Sequence, residues 1–200
     1  MNKVKRQILG FGDSIITGMN DEVHGGWFNR LKQGLYSSGE NTSFMNFGVP
    51  GQITAELLQN FETLIQTHKV EDAKLTIILA TGVNDSQIFG GKYRVTVEAF
   101  EEQFIELVRK ALNYTNDVYV IGLTHVDEAK TNPIIFHSQM CFRNDRIQAF
   151  DTIIKEVCLS KKVCYIPLSG LLAKIELTDG LHPNSKGHEK IYQRIRQYMR

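Results

Sequence analysis

Gln7-Ile8-Leu9-Gly10-Phe11, running directly into Gly12-Asp13-Ser14-Ile15, sets the reading of the whole chain. The first run is too short for a helix and apolar enough to be covered on both faces, which is the pattern of a strand inside a parallel sheet. The Gly-Asp-Ser step after it has turn and cap chemistry, so a strand ends and a helix begins there. Four further runs have the same character: Ser43 to Phe47, Leu75 to Ala80, Val118 to Leu123 and Val163 to Ile166. Between them apolar residues recur at helical spacing. Trp27, Leu31 and Leu35 form one such stripe, and Leu57, Phe61, Leu64 and Ile65 a second. Phe100, Phe104, Leu107, Val108 and Leu112 form a third, Ile147, Phe150, Ile154 and Val157 a fourth, and Ile191, Ile195 and Tyr198 close the chain. Strand and helix signals in alternation predict five βα units around a parallel sheet, with the stripes, Trp27 and Tyr198 included, facing the core.

The 200 residues suit one α/β domain, 1–200, with a full core. With 42% hydrophobic and 22% charged residues the composition is that of a globular protein. Twenty-three basic residues against twenty-two acidic ones leave a net charge of +1, which argues against nucleic acid as the main partner. The basic start Met1-Asn2-Lys3-Val4-Lys5-Arg6 is followed by an apolar stretch too short for a secretion signal, and no run reaches membrane-spanning length. Cys141, Cys158 and Cys164 have neither the number nor the spacing of a disulfide framework or zinc site, so they read as thiols in a reducing compartment, with a Cys158 to Cys164 bridge as the minor option. The expected location is the cytoplasm.

The polar residues gather at the strand ends. After the first strand stands Gly12-Asp13-Ser14-Ile15, after the second Asn46-Phe47-Gly48-Val49-Pro50-Gly51, and after the third Gly82-Val83-Asn84-Asp85. Well past the fifth comes Asp179-Gly180-Leu181-His182-Pro183. In open parallel sheets ligands bind outside the carboxyl ends of the strands, so these four clusters share one rim. A serine attacks a carbonyl when a base takes its proton, and that base works best when a carboxylate fixes its tautomer. Asp179 and His182 can supply both from one tight turn, leaving the distal ring nitrogen for Ser14. Donors for the resulting oxyanion are available from the Ser14 N–H, the Gly48 N–H and the Asn84 side-chain amide.

Each cluster also has a plain structural reading. Gly-Asp-Ser is a good N-cap, Asn46 to Gly51 a Gly/Pro turn, Asn84-Asp85 a helix cap, and Asp179-Gly180 a surface turn with a solvated His182. The case for chemistry lies in the ordered set. Asp13 and Asp85 read as acceptors of backbone N–H groups at their own turns, and no His/Cys/Asp grouping has metal spacing, so no metal is expected.

As an ordered set these residues resemble the SGNH, or GDSL, hydrolase family. Gly12-Asp13-Ser14-Ile15 is similar to its first block, Gly48 to the second block's glycine donor, Asn84 in Gly82-Val83-Asn84-Asp85 to the third block's asparagine, and Asp179-Gly180-Leu181-His182 to the last block's acid and base. The resemblance runs from Gly12 to beyond Pro183. It implies a three-layer α/β/α, flavodoxin-like fold with a five-stranded parallel sheet. It also implies hydrolysis of carboxylic esters through an acyl-serine intermediate, with Ser14, Asp179 and His182 catalytic, Ser14, Gly48 and Asn84 forming the oxyanion hole, and no cofactor. The partner is then a small-molecule ester. Lipids, lysophospholipids, acyl thioesters, aryl esters and acetylated sugars all remain open, as does the oligomeric state.

A strand order of 2-1-3-4-5 would put the fifth strand three positions from the first, roughly 14 Å away, so Pro167 to Thr178 must close that gap. The one long irregular segment, Thr124 to Gln139, is the candidate substrate loop. His24, Phe89, His125, Phe136 and His137 lie on or near the rim as candidate pocket residues, each with loop packing as the alternative. The competing function is a flavodoxin-like phosphate- or nucleotide-binding domain without hydrolase activity. It lacks both G-x-G-x-x-G and a Walker Gly-Lys-Ser/Thr, and it would place Asp13 where an anion binds. The nucleophile-elbow pattern G-x-S-x-G and S-x-x-K are absent as well.

Overall fold

The computed structural model describes residues 4–37 and 41–199, so Met1, Asn2 and Lys3 of the basic start lie outside the described residues. In chain order the elements are β1 (Arg6–Gly12), α1 (Ser14–Thr17), α2 (Gly26–Ser37), β2 (Thr42–Gly48), α3 (Thr54–His68) and β3 (Lys74–Ala80). Next come β4 (Ile88–Phe89), β5 (Lys92–Tyr93), α4 (Val97–Leu112), β6 (Val118–Ile121) and α5 (Glu128–Thr131). The chain continues through β7 (Met140–Cys141), α6 (Asn144–Lys161), β8 (Cys164–Ile166), a 3-10 turn at Lys174–Glu176 and α7 (Ser185–Tyr198). The main sheet has five parallel strands in the order β2-β1-β3-β6-β8, with Gly12 level with both Gly48 and Ala80.

Period-two alternation along these strands divides the core between the two faces. Leu9 and Phe11 of β1 and Ile77 and Leu79 of β3 point to one side, where they meet Phe61, Phe104 and Phe150 of α3, α4 and α6. Ile8 and Ile78 point to the other, against Trp27 and Leu31 of α2 and Ile191 and Ile195 of α7. The result is three layers, α/β/α. Phe100 and Phe104 are fully buried on α4, which contributes about 1.5–3 kcal/mol for each. Phe11 joins three elements through ring contacts of 5.1 Å with Phe47 and 4.7 Å with Phe61.

Three expectations need correction. Tyr198 is 39% exposed, and Met199 takes the buried place at the end of α7, because the stripe through Ile191 and Ile195 advances four residues at its last step. β6 stops at Ile121 and not at Leu123, because the Leu123 N–H leaves the sheet for Asp151 Oδ1 at 2.8 Å. Thr124 to Gln139 is not wholly irregular. It contains α5 and leads into a second, antiparallel sheet of order β5-β4-β7. That sheet turns on Gly90-Gly91, whose φ values of 55° and 76° belong to a two-residue hairpin loop that glycine enters without steric cost.

Candidate active site

Ser14 opens α1 immediately beyond the carboxyl end of β1, and Asp13 caps that turn by accepting the Ile15 N–H at 2.9 Å. At the far end of the chain, Pro167 to Thr178 crosses the sheet edge through the Leu168 turn and the 3-10 turn, delivering Asp179 to His182 to the same rim. There Thr178 N–H donates to the His182 carbonyl at 2.9 Å and Leu177 bridges Pro183, so the acid and the imidazole share one tight loop. Asp127 N–H donates to the Gly180 carbonyl at 2.8 Å, which fastens that loop to the segment entering α5.

The Asp179 carboxylate is fully engaged. Oδ1 accepts the Leu181 and His182 N–H groups at 3.0 and 2.8 Å, and Oδ2 lies 2.7 Å from His182 Nδ1. Burial raises its pKa, but the hydrogen bond from the His182 ring, the backbone donors and the imidazole charge outweigh that and hold it at about 2. An ionised Oδ2 can only accept, so Nδ1 carries the proton and the Nε2 lone pair is free. Nε2 lies 2.9 Å from Ser14 Oγ. Ser14 and His182 are both buried, at 4% and 6% exposure, which keeps this pair out of bulk water.

Asn84 stands at the carboxyl end of β3. It does not cap the next helix, since the N-cap of α4 is Thr96. One N–H of its side-chain amide goes to the Gln52 carbonyl at 3.1 Å. Gln52 closes a turn, Val49-Pro50-Gly51-Gln52, through its N–H to the Val49 carbonyl at 3.1 Å. Proline second and glycine third, with Gly51 at φ 79°, is type II turn chemistry.

Gly48, the glycine expected to donate to the oxyanion, lies just before this turn. The Gly48 N–H already donates to Asn46 Oδ1 at 2.9 Å, and Gly48 does not line the pocket beside Ser14. It sits too close to Ile16, Thr17 and the Asp13 carbonyl to tolerate a side chain, so its lack of one serves packing. Gly51 does line the pocket, and among the described residues its N–H has no partner.

Asp13 and Asp85 both hold protons more tightly than ordinary carboxyls. Burial pushes Asp13 up to about 7 against the pull of the Ile15 N–H, and pushes Asp85 up to about 6 against the Thr54 bonds. Asp85 draws on its own backbone N–H as expected, and it also reaches beyond its turn. It takes the Thr54 N–H at 3.0 Å and so pins the start of α3 to the loop after β3.

The pocket over Ser14 encloses about 520 Å³. Met19, Phe136, Met140, Phe142 and Leu181 supply its apolar lining, while Asn84, Gln87 and Arg94 supply polar atoms. Of the candidate lining residues only Phe136 reaches it. Phe89 packs on His137 at 5.3 Å, His125 pairs with Ser169 Oγ at 3.1 Å, and the His24 carbonyl accepts from Asn29.

A buried polar cluster that local spacing does not reveal joins the two ends of the chain behind the site. Arg30 of α2 donates through Nη2 to Asp21 Oδ2 at 2.9 Å and to Ser185 Oγ at 2.8 Å, and through Nη1 to Glu189 Oε2 at 2.6 Å. His188 of α7, fully buried, accepts the Trp27 N–H at Nδ1 and donates from Nε2 to the Met19 carbonyl at 3.0 Å. Burial lowers the His188 pKa and outweighs its bond to Met19, so the ring stays neutral at pH 7. Arg30→Met strands the Asp21 carboxylate and is expected to destabilise the fold by about 3 kcal/mol in urea unfolding at neutral pH. Burial raises the pKa of Asp21, but Arg30, Ser185 and backbone donors pull it below the ordinary value. Its stabilisation is therefore complete above the unfolded carboxylate range and lost on acidification, so the deficit should shrink below about pH 4.

Residues 11–190 match the sequence model of the GDSL-like Lipase/Acylhydrolase family. No curated protein sequence matches the chain significantly. Among solved structures, a lipase/acylhydrolase from Enterococcus faecalis superposes with a TM-score of 0.76 at 24% identity, over 97% of this chain and 95% of that one. A member of the lipolytic G-D-S-L family from Veillonella parvula gives 0.74 at 19% identity, over 96% and 97%. A variant of an acetyl xylan esterase from Geobacillus stearothermophilus gives 0.75 at 15% identity, over 98% and 94%.

Proposed function

The chain belongs to the GDSL-like lipase/acylhydrolase family and is a carboxylic ester hydrolase, and from that premise we propose that Ser14 is its nucleophile, His182 the general base and Asp179 the group that orients the base. The observation that carries this is the continuous relay from Asp179 Oδ2 through the His182 ring to Ser14 Oγ, with contacts of 2.7 and 2.9 Å. Family membership sets aside the nucleotide-binding alternative.

In the proposed reaction His182 Nε2 takes the Ser14 proton as Oγ attacks the ester carbonyl. The imidazolium then returns that proton to the departing alcohol. Water attacks the acyl-serine next, with the same nitrogen as base. The negative oxygen of each tetrahedral intermediate meets three donors: the Ser14 N–H at the start of α1, the Gly51 N–H and the second amide N–H of Asn84. Gly51 replaces Gly48 because its N–H is uncommitted and it lines the same pocket. Asn84→Ala, which removes one donor and frees the turn that carries another, is expected to lower kcat about a hundred-fold on a short-chain p-nitrophenyl ester. Labelling with a fluorophosphonate tests the nucleophile directly. The adduct should map to Ser14, and an adduct elsewhere overturns the assignment.

The proposal extends to the whole chain, 1–200, as a single hydrolase domain, supported by a site drawn from both of its ends. A small ester rather than nucleic acid is the proposed partner, in line with the balanced charge. Among the described residues no helix is long and apolar enough to cross a membrane. A reducing, cytoplasmic setting is supported by the free thiols of Cys141, Cys158 and Cys164, of which Cys158 is pushed up to about 12 by burial.

A further inference from the structure

One ionic group on the pocket wall has no part in the chemistry of Ser14 and His182. Arg94 stands at the foot of the β4–β5 hairpin, opposite Gln87, and its N–H donates to the Gln87 carbonyl at 2.9 Å. Both residues line the pocket that holds Ser14 and His182. Gln87 is buried at 3% exposure and turns its Oε1 toward Arg94 Nη1 at 3.3 Å. The nearest carboxylate paired with Arg94, Glu56 Oε1, is 3.8 Å from Nη2, beyond hydrogen-bonding distance, and Glu56 is half exposed and commits Oε2 to the Ile53 N–H. A pair of that kind contributes little.

A guanidinium presents five N–H donors in a planar fork suited to carboxylate and phosphate oxygens. Among the described residues only one guanidinium donor of Arg94 is held in a hydrogen bond, at 3.3 Å. No other permanent cation among them lines the pocket, and its one carboxylate, Asp179, is spent on the His182 ring and two backbone donors. Phe136, Met140 and Phe142 line the same pocket as Arg94. Met140 is paired with Phe89 of β4, which ties this part of the wall to the hairpin that carries Arg94.

We infer that the pocket selects esters carrying an anionic group, a carboxylate or a phosphate, beside an apolar portion, and that Arg94, steadied by Gln87, is the residue that reads the anion. This rests on the reading of Ser14 and His182 as the reacting pair. The charge can sit on the acyl or on the alcohol side of the ester bond, and paired substrates separate the two sources. For the acyl side, kcat/KM is compared between the 4-nitrophenyl monoester of adipic acid and neutral 4-nitrophenyl hexanoate. For the alcohol side, 4-carboxyphenyl butyrate is compared with phenyl butyrate.

The wild-type protein should prefer the anionic member of at least one pair by about tenfold, chiefly through KM, and the preference should fall as sodium chloride is raised from about 0.01 to about 1 M. In Arg94→Gln the anionic-to-neutral ratio should collapse toward one, and in Arg94→Lys it should recover only in part, because the charge returns without the fork. Equal rates within both pairs, or a preference that survives either Arg94→Gln or high salt, overturns the inference while leaving the hydrolase reading intact. Failure of the wild-type protein to hydrolyse either member of either pair overturns both. The salt series uses the unaltered protein, so the outcome does not depend on the folding of a variant.

Discussion

Ser14→Ala is expected to lower turnover of a short-chain p-nitrophenyl ester by a factor of about a thousand or more. The loss is chemical rather than structural. Among the described residues the Ser14 hydroxyl touches one polar partner, His182 Nε2, and the turn that presents it is held by other atoms: Asp13 caps it and its carbonyl accepts from Thr17 and Met19. Deleting Oγ leaves the proposed oxyanion donors and the pocket in place, so substrate should still bind, and what activity remains should come from those donors acting on water. The measurements are kcat and KM together with thermal unfolding. A fall in kcat with little change in KM or melting temperature is the expected signature. A variant that keeps most of its turnover would remove Ser14 from the chemistry.

The second large effect belongs to Asp179→Asn, with a loss of roughly a thousand- to ten-thousand-fold in kcat/KM at neutral pH. The substitution is nearly isosteric, and its cost follows from hydrogen-bond direction. Oδ1 faces two backbone N–H donors, so the asparagine oxygen must take that side, which turns its NH2 toward His182 Nδ1. The ring then accepts at Nδ1, carries its proton on Nε2 and points a donor at Ser14, where a base is needed. Turning the amide the other way sets donors against donors. The same residue links pH to stability. With its folded pKa at about 2 against an ordinary 3.8, Asp179 stabilises the fold above about pH 4 and loses that contribution as pH falls through 2. Unfolding curves for wild type and variant should therefore differ most above about pH 4 and converge below it.

Much of this architecture was legible in the sequence because parallel strands covered on both faces leave short unbroken apolar runs, and their helices leave 3.6-period stripes. The five strands lie within two residues of where those runs end. The small antiparallel sheet left no such trace. Strands of two residues are shorter than any period, and only Gly90-Gly91 marked the hairpin. That Gly51 and not Gly48 lines the pocket could not be read from spacing, although the order Pro50-Gly51 already spelled the turn that presents it. Arg30, Asp21, His188 and Glu189 form one cluster across separations such as 159 residues, where no spacing rule operates. Arg94 was hidden for a different reason, because it looks like any solvated charge until the hairpin folds beside Gln87.

The cluster that fastens α2 to α7 has a bearing on how the site is assembled. The proposed nucleophile and its base lie 168 residues apart, and the segment that carries the imidazole runs straight into α7, whose seat on α2 this cluster secures. On the proposed assignment, a molecule in which α7 has not docked against α2 would hold the serine without its base, so the onset of activity during refolding would report the moment at which that helix seats.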